Sequence, residues 1–140
     1  MNLTFKITTG TITTDEGEVI TDQAFAGNDS RPGVNPDHLQ GRNNPEMCSV
    51  HKIGPLPCAA TPDAEPCVYV FGAWGTVPGL GQNVSCLTQI SGETYGRDGF
   101  FMHGESAEDP MNSSEGCVCV PHDPRVAIKN MVPDTLTVIA

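Results

Sequence analysis

A histidine and a cysteine stand on either side of a polar loop in the stretch HGESAEDPMNSSEGCVC, which runs from His103 to Cys119. A cysteine attacks a carbonyl as its thiolate, and a neighbouring histidine can take up the thiol proton at neutral pH. The glycine before Cys117 permits a tight turn in which successive N–H groups converge and can hold an oxyanion. The pattern therefore predicts acyl transfer, with Cys117 as nucleophile and His103 as base.

Both residues lie at the ends of predicted strands. GFFMHG, residues 99–104, is an aromatic strand that ends at the histidine, and GCVCVP, residues 116–121, is a strand that begins at the glycine-cysteine pair. If the two strands are neighbours in one sheet, the thirteen-residue connection between His103 and Cys117 brings both side chains to the same edge.

The rest of the sequence predicts a single domain of residues 1–140, mainly β, with one short helix. Residues 3–14 alternate apolar and polar side chains and predict a strand that continues into a hairpin or bulge, whereas residues 24–46 are rich in Gly, Asn, Asp and Pro and predict a long ordered loop. Asp123 as N-cap and Pro124 open a helix over residues 125–131. Four further segments read as strands: residues 49–57, a short strand broken at Gly54-Pro55, and residues 67–75, 85–91 and 134–140. Three aromatic residues are expected in the core: Tyr69, Phe71 and Trp74.

Composition limits the partners. The net charge is -10 and the seven basic residues are scattered, which argues against nucleic acid, because phosphate neutralisation needs clustered Lys and Arg. No segment predicts a membrane span, a basic amphipathic helix or a Sec-type signal. Six cysteines in so short a chain are typical of an oxidising environment. We therefore expect a protein that is made without a signal peptide and works outside the cytoplasm.

These motifs resemble the catalytic domain of the L,D-transpeptidases, the YkuD-type fold. Its hallmark is His-Gly, a variable loop and Ser-x-Gly-Cys, matched here by residues 103–104 and 114–117. The chain is also similar, over much of its length, to a compact subfamily that includes secreted toxins of type VI secretion systems. Asn-Asn-Pro at 43–45, Gly-Pro-Leu-Pro at 54–57 and Gly-Arg-Asp-Gly-Phe at 96–100 carry that likeness. The resemblance implies a compact L,D-transpeptidase-like β-sandwich or mixed sheet.

By position, the resemblance implies a role for each residue of the motif. Cys117 is the nucleophile, His103 is the general base, and the backbone carbonyl of Gly104 orients the imidazole. The amides of Gly116 and Cys117 form an oxyanion hole, and Ser114 supports the turn. No cofactor is implied.

The implied substrate is a peptidoglycan stem peptide, cleaved between its third residue and D-alanine through a thioacyl-enzyme. An amine acceptor then gives a cross-link, water gives carboxypeptidase activity, and a free D-amino acid gives exchange. Arg97 is predicted to contact a substrate carboxylate, because few cations lie near the motif. Two positions depart from the larger family: Glu115 replaces a basic or imidazole residue, and Cys119 replaces an arginine.

The resemblance also implies a place of action and partners. A type VI system or a phage tail would deliver the protein, which would act in the periplasm or cell wall of a target bacterium or be part of a virion. A secretion-system, immunity-protein or virion component is the implied protein partner.

Three alternatives stay open. The six cysteines can all pair, and Cys58 with Cys67 is the favoured pair because the two flank a Pro-rich loop. A zinc site could use two cysteines and two histidines: Cys117, Cys119, His103 and His122. The protein could also be a non-catalytic, disulfide-linked structural component of a virion or tail that retains the fold. The acidic loop with Glu105, Glu108 and Asp109 is expected to be solvated, with gating of the cleft as the alternative.

Overall fold

The computed structural model describes residues 1–105 and 114–140, and it confirms a mainly β protein with one helix. Glu108 and Asp109 of the acidic loop lie outside the described residues. The strands are β1 Asn2–Lys6, β2 Thr11–Thr13, β3 Val19–Thr21, β4 Cys67–Val77, β5 Gly81–Ser91, β6 Phe100–His103, β7 Val118–Cys119 and β8 Thr135–Ile139. A 3-10 turn at Pro45–Met47 and the helix α1, His122–Met131, complete the elements.

The eight strands within residues 1–105 and 114–140 belong to one mixed sheet, in the order β3-β2-β1-β8-β4-β5-β6-β7. Neighbouring strands are antiparallel except for two parallel pairs, β1 with β8 and β6 with β7. The segment that follows β3 returns to the opposite end of the sheet, where Phe25 exchanges backbone hydrogen bonds of 3.0 and 2.7 Å with Cys119 of β7. The short strand β7 is therefore paired on both sides.

The core lies against the face of the sheet toward which alternate residues of β1 and β8 are directed. Leu3 and Phe5 of β1 and Leu136 and Val138 of β8 are fully buried, as the alternation in the sequence predicts. Of the three aromatic residues expected in the core, Tyr69 is fully buried, whereas two pack against the core while partly buried: Phe71 and Trp74.

Residues 49–57 form turns, so the strand predicted there is wrong. Pro55 and Pro57 have no N–H to donate to a sheet ladder, and the carbonyls of Gly54 and Pro55 accept from a side chain, Arg97, instead of from a neighbouring strand. The long loop predicted for residues 24–46 is confirmed, apart from its 3-10 turn. The predicted strands at 67–75, 85–91 and 134–140 are confirmed as β4, β5 and β8.

The helix α1 begins one residue before the predicted N-cap. Pro121 is the N-cap residue and makes no side-chain hydrogen bond. Asp123 lies inside the first turn, where its negative charge interacts favourably with the helix dipole. No helix among the described residues is long and apolar enough to cross a membrane.

Candidate functional site

The parallel pair of β6 and β7 brings the histidine and both cysteines of the motif together. Met102 pairs with Val118 and His103 with Cys119. Extending that register by one step places Cys117 beside Phe101, and the Phe101 N–H donates to Cys117 Sγ at 3.4 Å. The predicted adjacency of the two strands is therefore confirmed, with Cys117 offset from His103 by two residues along the sheet.

A backbone carbonyl fixes the orientation of the His103 imidazole. Nδ1 donates to the Gly104 carbonyl at 2.6 Å, which leaves Nε2 without a hydrogen and able to accept a proton. Burial lowers the pKa of His103 below its ordinary value, the Gly104 carbonyl partly opposes this, and the charges of Arg125 and Arg31 lower it further. The imidazole is thus neutral near pH 7, which is the state that a general base requires.

Cys117 is half-buried, and its sulfur is held as a neutral thiol. Burial raises the pKa of Cys117, and the charge of Glu115 adds to that effect. The N–H groups of Phe101 and of Cys117 itself, together with the charge of Arg97, lower the pKa but do not cancel the rise. A base must therefore remove the thiol proton before the sulfur can attack.

The sulfur that contacts the imidazole is that of Cys119. Its Sγ lies 3.8 Å from Nδ1 and 3.9 Å from Nε2 of His103, so it is nearly equidistant from the two ring nitrogens. Among the hydrogen bonds within residues 1–105 and 114–140, none joins the imidazole to Cys117. Cys119 is 0% exposed and burial raises its pKa strongly, so it is closed to a substrate.

Ser114 organises the turn before Cys117. Its hydroxyl oxygen accepts from the N–H groups of Gly27 at 2.9 Å and Gly116 at 3.0 Å, and its O–H donates to the Cys117 carbonyl at 2.6 Å. The predicted supporting role of Ser114 thus has a direct structural basis. The Gly116 N–H is already bound, which argues against the oxyanion contact predicted for it and leaves the Cys117 N–H as the other predicted donor to an oxyanion.

Only glycine fits at position 116. Its φ is +129°, and a Cβ there would lie 2.7 Å from Arg97 Nη2 and 2.8 Å from Phe100 Cε1. A side chain would therefore be strained in its backbone and would collide with both neighbours. The tight turn predicted from the Gly-Cys pair is confirmed.

Arg97 supports the turn before Cys117 through hydrogen bonds to backbone carbonyls. The side chain is 5% exposed, and its terminal nitrogens donate to four carbonyls, those of Cys48, Gly54, Pro55 and Glu115. With both terminal nitrogens bound to the backbone, Arg97 has a structural role here, and its predicted contact with a substrate carboxylate stays a prediction.

A cavity of about 240 Å³ opens beside Cys117. Basic and acidic side chains both line it. His51, Lys52 and Arg97 are the basic ones, and Asp98 and Glu115 are the acidic ones. Two larger cavities, of about 480 and 310 Å³, have no cysteine or histidine in their walls, so size alone does not identify the site.

The motif pattern did not identify several residues that complete the site. Phe101 contributes through its N–H, which no side-chain pattern can reveal, and Gly27 and Asn28 come from the long loop far along the chain. The Asn28 amide donates to the Ser114 carbonyl at 2.7 Å. Within the part of the chain that the structure describes, no group of three or more His, Cys, Asp or Glu side chains is arranged to hold a metal ion.

The structure does not bring the favoured cysteine pair, Cys58 and Cys67, together. Cys58 Sγ lies 3.0 Å from Cys48 Sγ, whereas Cys67 Sγ is directed to the Glu93 carbonyl at 3.7 Å. All six thiols, including that of Cys117, are free in the structure.

Comparison with known proteins gives one kind of match. No family model and no curated protein matches the chain. A solved structure, an L,D-transpeptidase from Mycobacterium smegmatis, is similar to it with a TM-score of 0.45 and 15% sequence identity. The match covers 99% of this chain and 58% of that chain, so this protein spans less than two thirds of its structural neighbour.

Proposed function

We propose that this protein is a peptidoglycan-modifying cysteine acyltransferase, with Cys117 as the nucleophile and His103 as the general base. One arrangement carries the proposal. A thiol with a backbone N–H directed at its sulfur lines a cavity. It immediately precedes a strand that pairs in parallel with the strand holding a carbonyl-anchored imidazole. This combines nucleophile, base and orienting group, which acyl transfer by a cysteine requires.

The first half-reaction transfers the acyl part of an amide to Cys117. The thiol proton passes to Nε2 of His103, and the sulfur forms a bond to the carbonyl carbon of the substrate. The N–H of Phe101 stabilises charge on the sulfur, and the N–H of Cys117 is the proposed donor to the oxyanion. The amide C–N bond then breaks, and the imidazolium returns the proton to the leaving amine.

The second half-reaction releases the acyl group from the thioester. An incoming amine, a water molecule or a free D-amino acid loses its proton to His103 as it attacks, and the Cys117 thiol is regenerated. The acceptor decides whether the product is a cross-link, a shortened stem or an exchanged stem.

The choice of sulfur follows from exposure. Cys119 is nearer to the imidazole but is fully buried, whereas Cys117 borders the cavity. An offset of two residues along a strand is about 6.6 Å, a gap that cysteine rotation or one bridging water can span. Catalytic contacts that are long before substrate binds and shorten afterwards are common.

The charges of the cavity support a substrate that carries both signs. His51 and Lys52 can face carboxylates, and Asp98 and Glu115 can face an amine. Lys52 has a positive φ of 64°, and its carbonyl accepts from the Asn28 amide at 2.9 Å. A lysine held in this strained backbone conformation at the cavity is the proposed carboxylate contact.

Digestion of purified peptidoglycan with tetrapeptide stems tests the proposal. Wild-type protein should change the muropeptide profile and carry an acyl adduct on Cys117 by intact-protein mass spectrometry. Cys117→Ala should lose at least about a thousandfold in rate, because removing a nucleophile removes its whole pathway. Cys119→Ala, the matched control on the same strand, should retain most of the activity.

An unchanged muropeptide profile with folded, reduced wild-type protein would overturn the proposal. A non-catalytic structural component of a virion or tail would then be the remaining interpretation. If activity is lost in Cys119→Ala but kept in Cys117→Ala, the nucleophile is Cys119 and the proposed assignment to Cys117 is wrong.

We propose that the protein reaches its substrate outside the cytoplasm, delivered by a type VI system or a phage tail. The support is chemical, since stem peptides are assembled into the wall beyond the cytoplasmic membrane. Expression directed to the periplasm should inhibit growth in a Cys117-dependent manner, whereas cytoplasmic expression should not. Equal growth of cells that express the protein in the periplasm and of cells that express it in the cytoplasm would contradict this route.

A further inference from the structure

We infer that Cys48 and Cys58 form a disulfide that holds the Cys117 turn in place. The two Sγ atoms lie 3.0 Å apart, and both residues are 3% exposed, so neither thiol is available to another partner without a large rearrangement. The cross-link itself does not depend on the proposed function; its effect on activity does.

The segment between these cysteines forms the support of the nucleophile turn. The carbonyls of Cys48, Gly54 and Pro55 accept from the Arg97 guanidinium, at 2.5 to 3.1 Å. The Leu56 N–H donates to the Gly116 carbonyl at 2.9 Å. The same guanidinium also donates to the Glu115 carbonyl at 3.3 Å, so the segment and the turn share two connections.

This segment has little regular structure of its own. Residues 48–58 form turns, with no helix or strand among them. Gly54 is packed so closely that a Cβ would lie 1.6 Å from the Met47 carbonyl oxygen, so the path of the chain allows little adjustment. A cross-link at its two ends would limit the freedom of the segment when the rest of the protein opens.

The oxidation balances with a disulfide oxidant such as oxidised glutathione. Each of the two thiols loses one hydrogen, an S–S bond forms between Cys48 and Cys58, and the oxidant is reduced to two thiols. An oxidising compartment supplies such oxidants, whereas the cytosol keeps thiols reduced.

Alkylation of denatured protein without reductant, followed by peptide mapping, tests the cross-link. After exposure of the full chain to oxidised glutathione, Cys48 and Cys58 should be linked to each other, and each of the other four cysteines should carry either the alkyl group or, where its thiol is accessible as in Cys86, glutathione. Alkylation of Cys48 or Cys58, or a link from either to a different cysteine, would overturn the inference.

Thermal unfolding with and without reductant measures the consequence. The oxidised form should melt roughly 10 °C higher than the reduced form, the scale expected for a short loop closed in a domain of this size. Cys48→Ser/Cys58→Ser should melt at one temperature in both conditions. Cys67→Ser, a buried cysteine outside the pair, should keep the redox-dependent difference. Equal melting of oxidised and reduced wild-type protein would show that the link does not brace the turn.

Muropeptide assays separate this inference from the proposed function. Higher activity of the oxidised form, together with a mapped Cys48–Cys58 link, supports both. A mapped link with no activity in either form leaves the cross-link standing and removes the acyltransferase. Activity in a protein whose Cys48 and Cys58 stay alkylatable removes the cross-link and leaves the acyltransferase.

Discussion

The sheet has two parallel strand pairs, one in its interior and one at its edge, and they do different work. In the interior, β1 and β8 are paired over five positions, and the side chains directed to the core are apolar, such as Phe5 and Leu136. At the edge, β6 and β7 are paired over two positions, and one of these joins His103 to Cys119. The long pair stabilises the fold by burying apolar side chains. The short pair instead positions polar side chains, which apolar packing alone would keep out of the protein interior.

The two pairs also differ in how their backbone is satisfied. β1 and β8 lie between other strands of the sheet, so ladder hydrogen bonds hold them on both sides. β7 has β6 on one side and only the bridge to Phe25 on the other, and the turn before it depends on Ser114 and Arg97. The edge therefore relies on a few side-chain contacts, each of which can be removed separately.

Phe5→Ala should produce the largest loss of stability, because it removes a fully buried ring from the interior pair. We expect the free energy of unfolding to fall by about 3–5 kcal/mol. The rate per folded molecule should be unchanged, since three strands, β8, β4 and β5, separate β1 from β6 in the sheet. Urea unfolding monitored by circular dichroism measures the first quantity, and the muropeptide assay measures the second.

An exposed apolar residue provides the control for that substitution. Ile90 is 61% exposed, and Ile90→Ala should change the free energy of unfolding by no more than about 0.5 kcal/mol. A loss of activity in folded Phe5→Ala protein would break the division between the interior and the edge.

Ser114→Ala should have a smaller effect on stability and a larger effect on the site. The substitution leaves the N–H groups of Gly27 and Gly116 without their acceptor, and a buried unpaired group costs about 1–3 kcal/mol. At about 1 kcal/mol for each of the two groups, the low end of that range, we expect a loss of about 2 kcal/mol, together with a fall in activity of the molecules that remain folded.

Ser49→Ala is the matched control, because Ser49 is exposed and lies in residues 48–58, the segment that supports the same turn. It should leave both the unfolding free energy and the rate per folded molecule unchanged. If folded Ser114→Ala protein has the wild-type rate, the turn does not need the hydroxyl for activity.

The difference between the two pairs also explains what the sequence could predict. Alternation of apolar residues, as in Leu3 and Phe5, has a period that the sequence displays directly, and β1 and β8 are confirmed. The pairing of His103 with its neighbouring strand could be predicted because both motifs lie at strand ends. The position of Arg97 among carbonyls could not, since backbone acceptors 42 to 49 residues away carry no side-chain signature.

Two predictions were wrong for the same kind of reason. The strand at residues 49–57 and the Cys58–Cys67 pair were both inferred from local spacing. Pro55 and Pro57 cannot donate to a ladder, and the carbonyls of Gly54 and Pro55 accept from Arg97, so the segment forms turns. In this path Cys58 lies beside Cys48. The prolines are visible in the sequence, whereas the contacts with the distant Arg97 leave no local signature.

The pH dependence should show the smallest effect and should separate the edge from the interior. Burial keeps the pKa of His103 below its ordinary value of about 6.5, so the rate should decline only as pH falls through that lowered pKa. Because the unfolded chain binds this proton more readily, stability should also fall as the pH drops from about 6.5, the unfolded pKa, to the lowered pKa of the folded protein. The raised pKa of Cys117 keeps its thiol neutral through pH 7, so the rate should be level between the two titrations. A pH–rate profile and NMR titration of His103 measure these values. An acid limb above pH 6.5 would indicate a thiolate–imidazolium pair and contradict the neutral pair that the burial of both groups predicts.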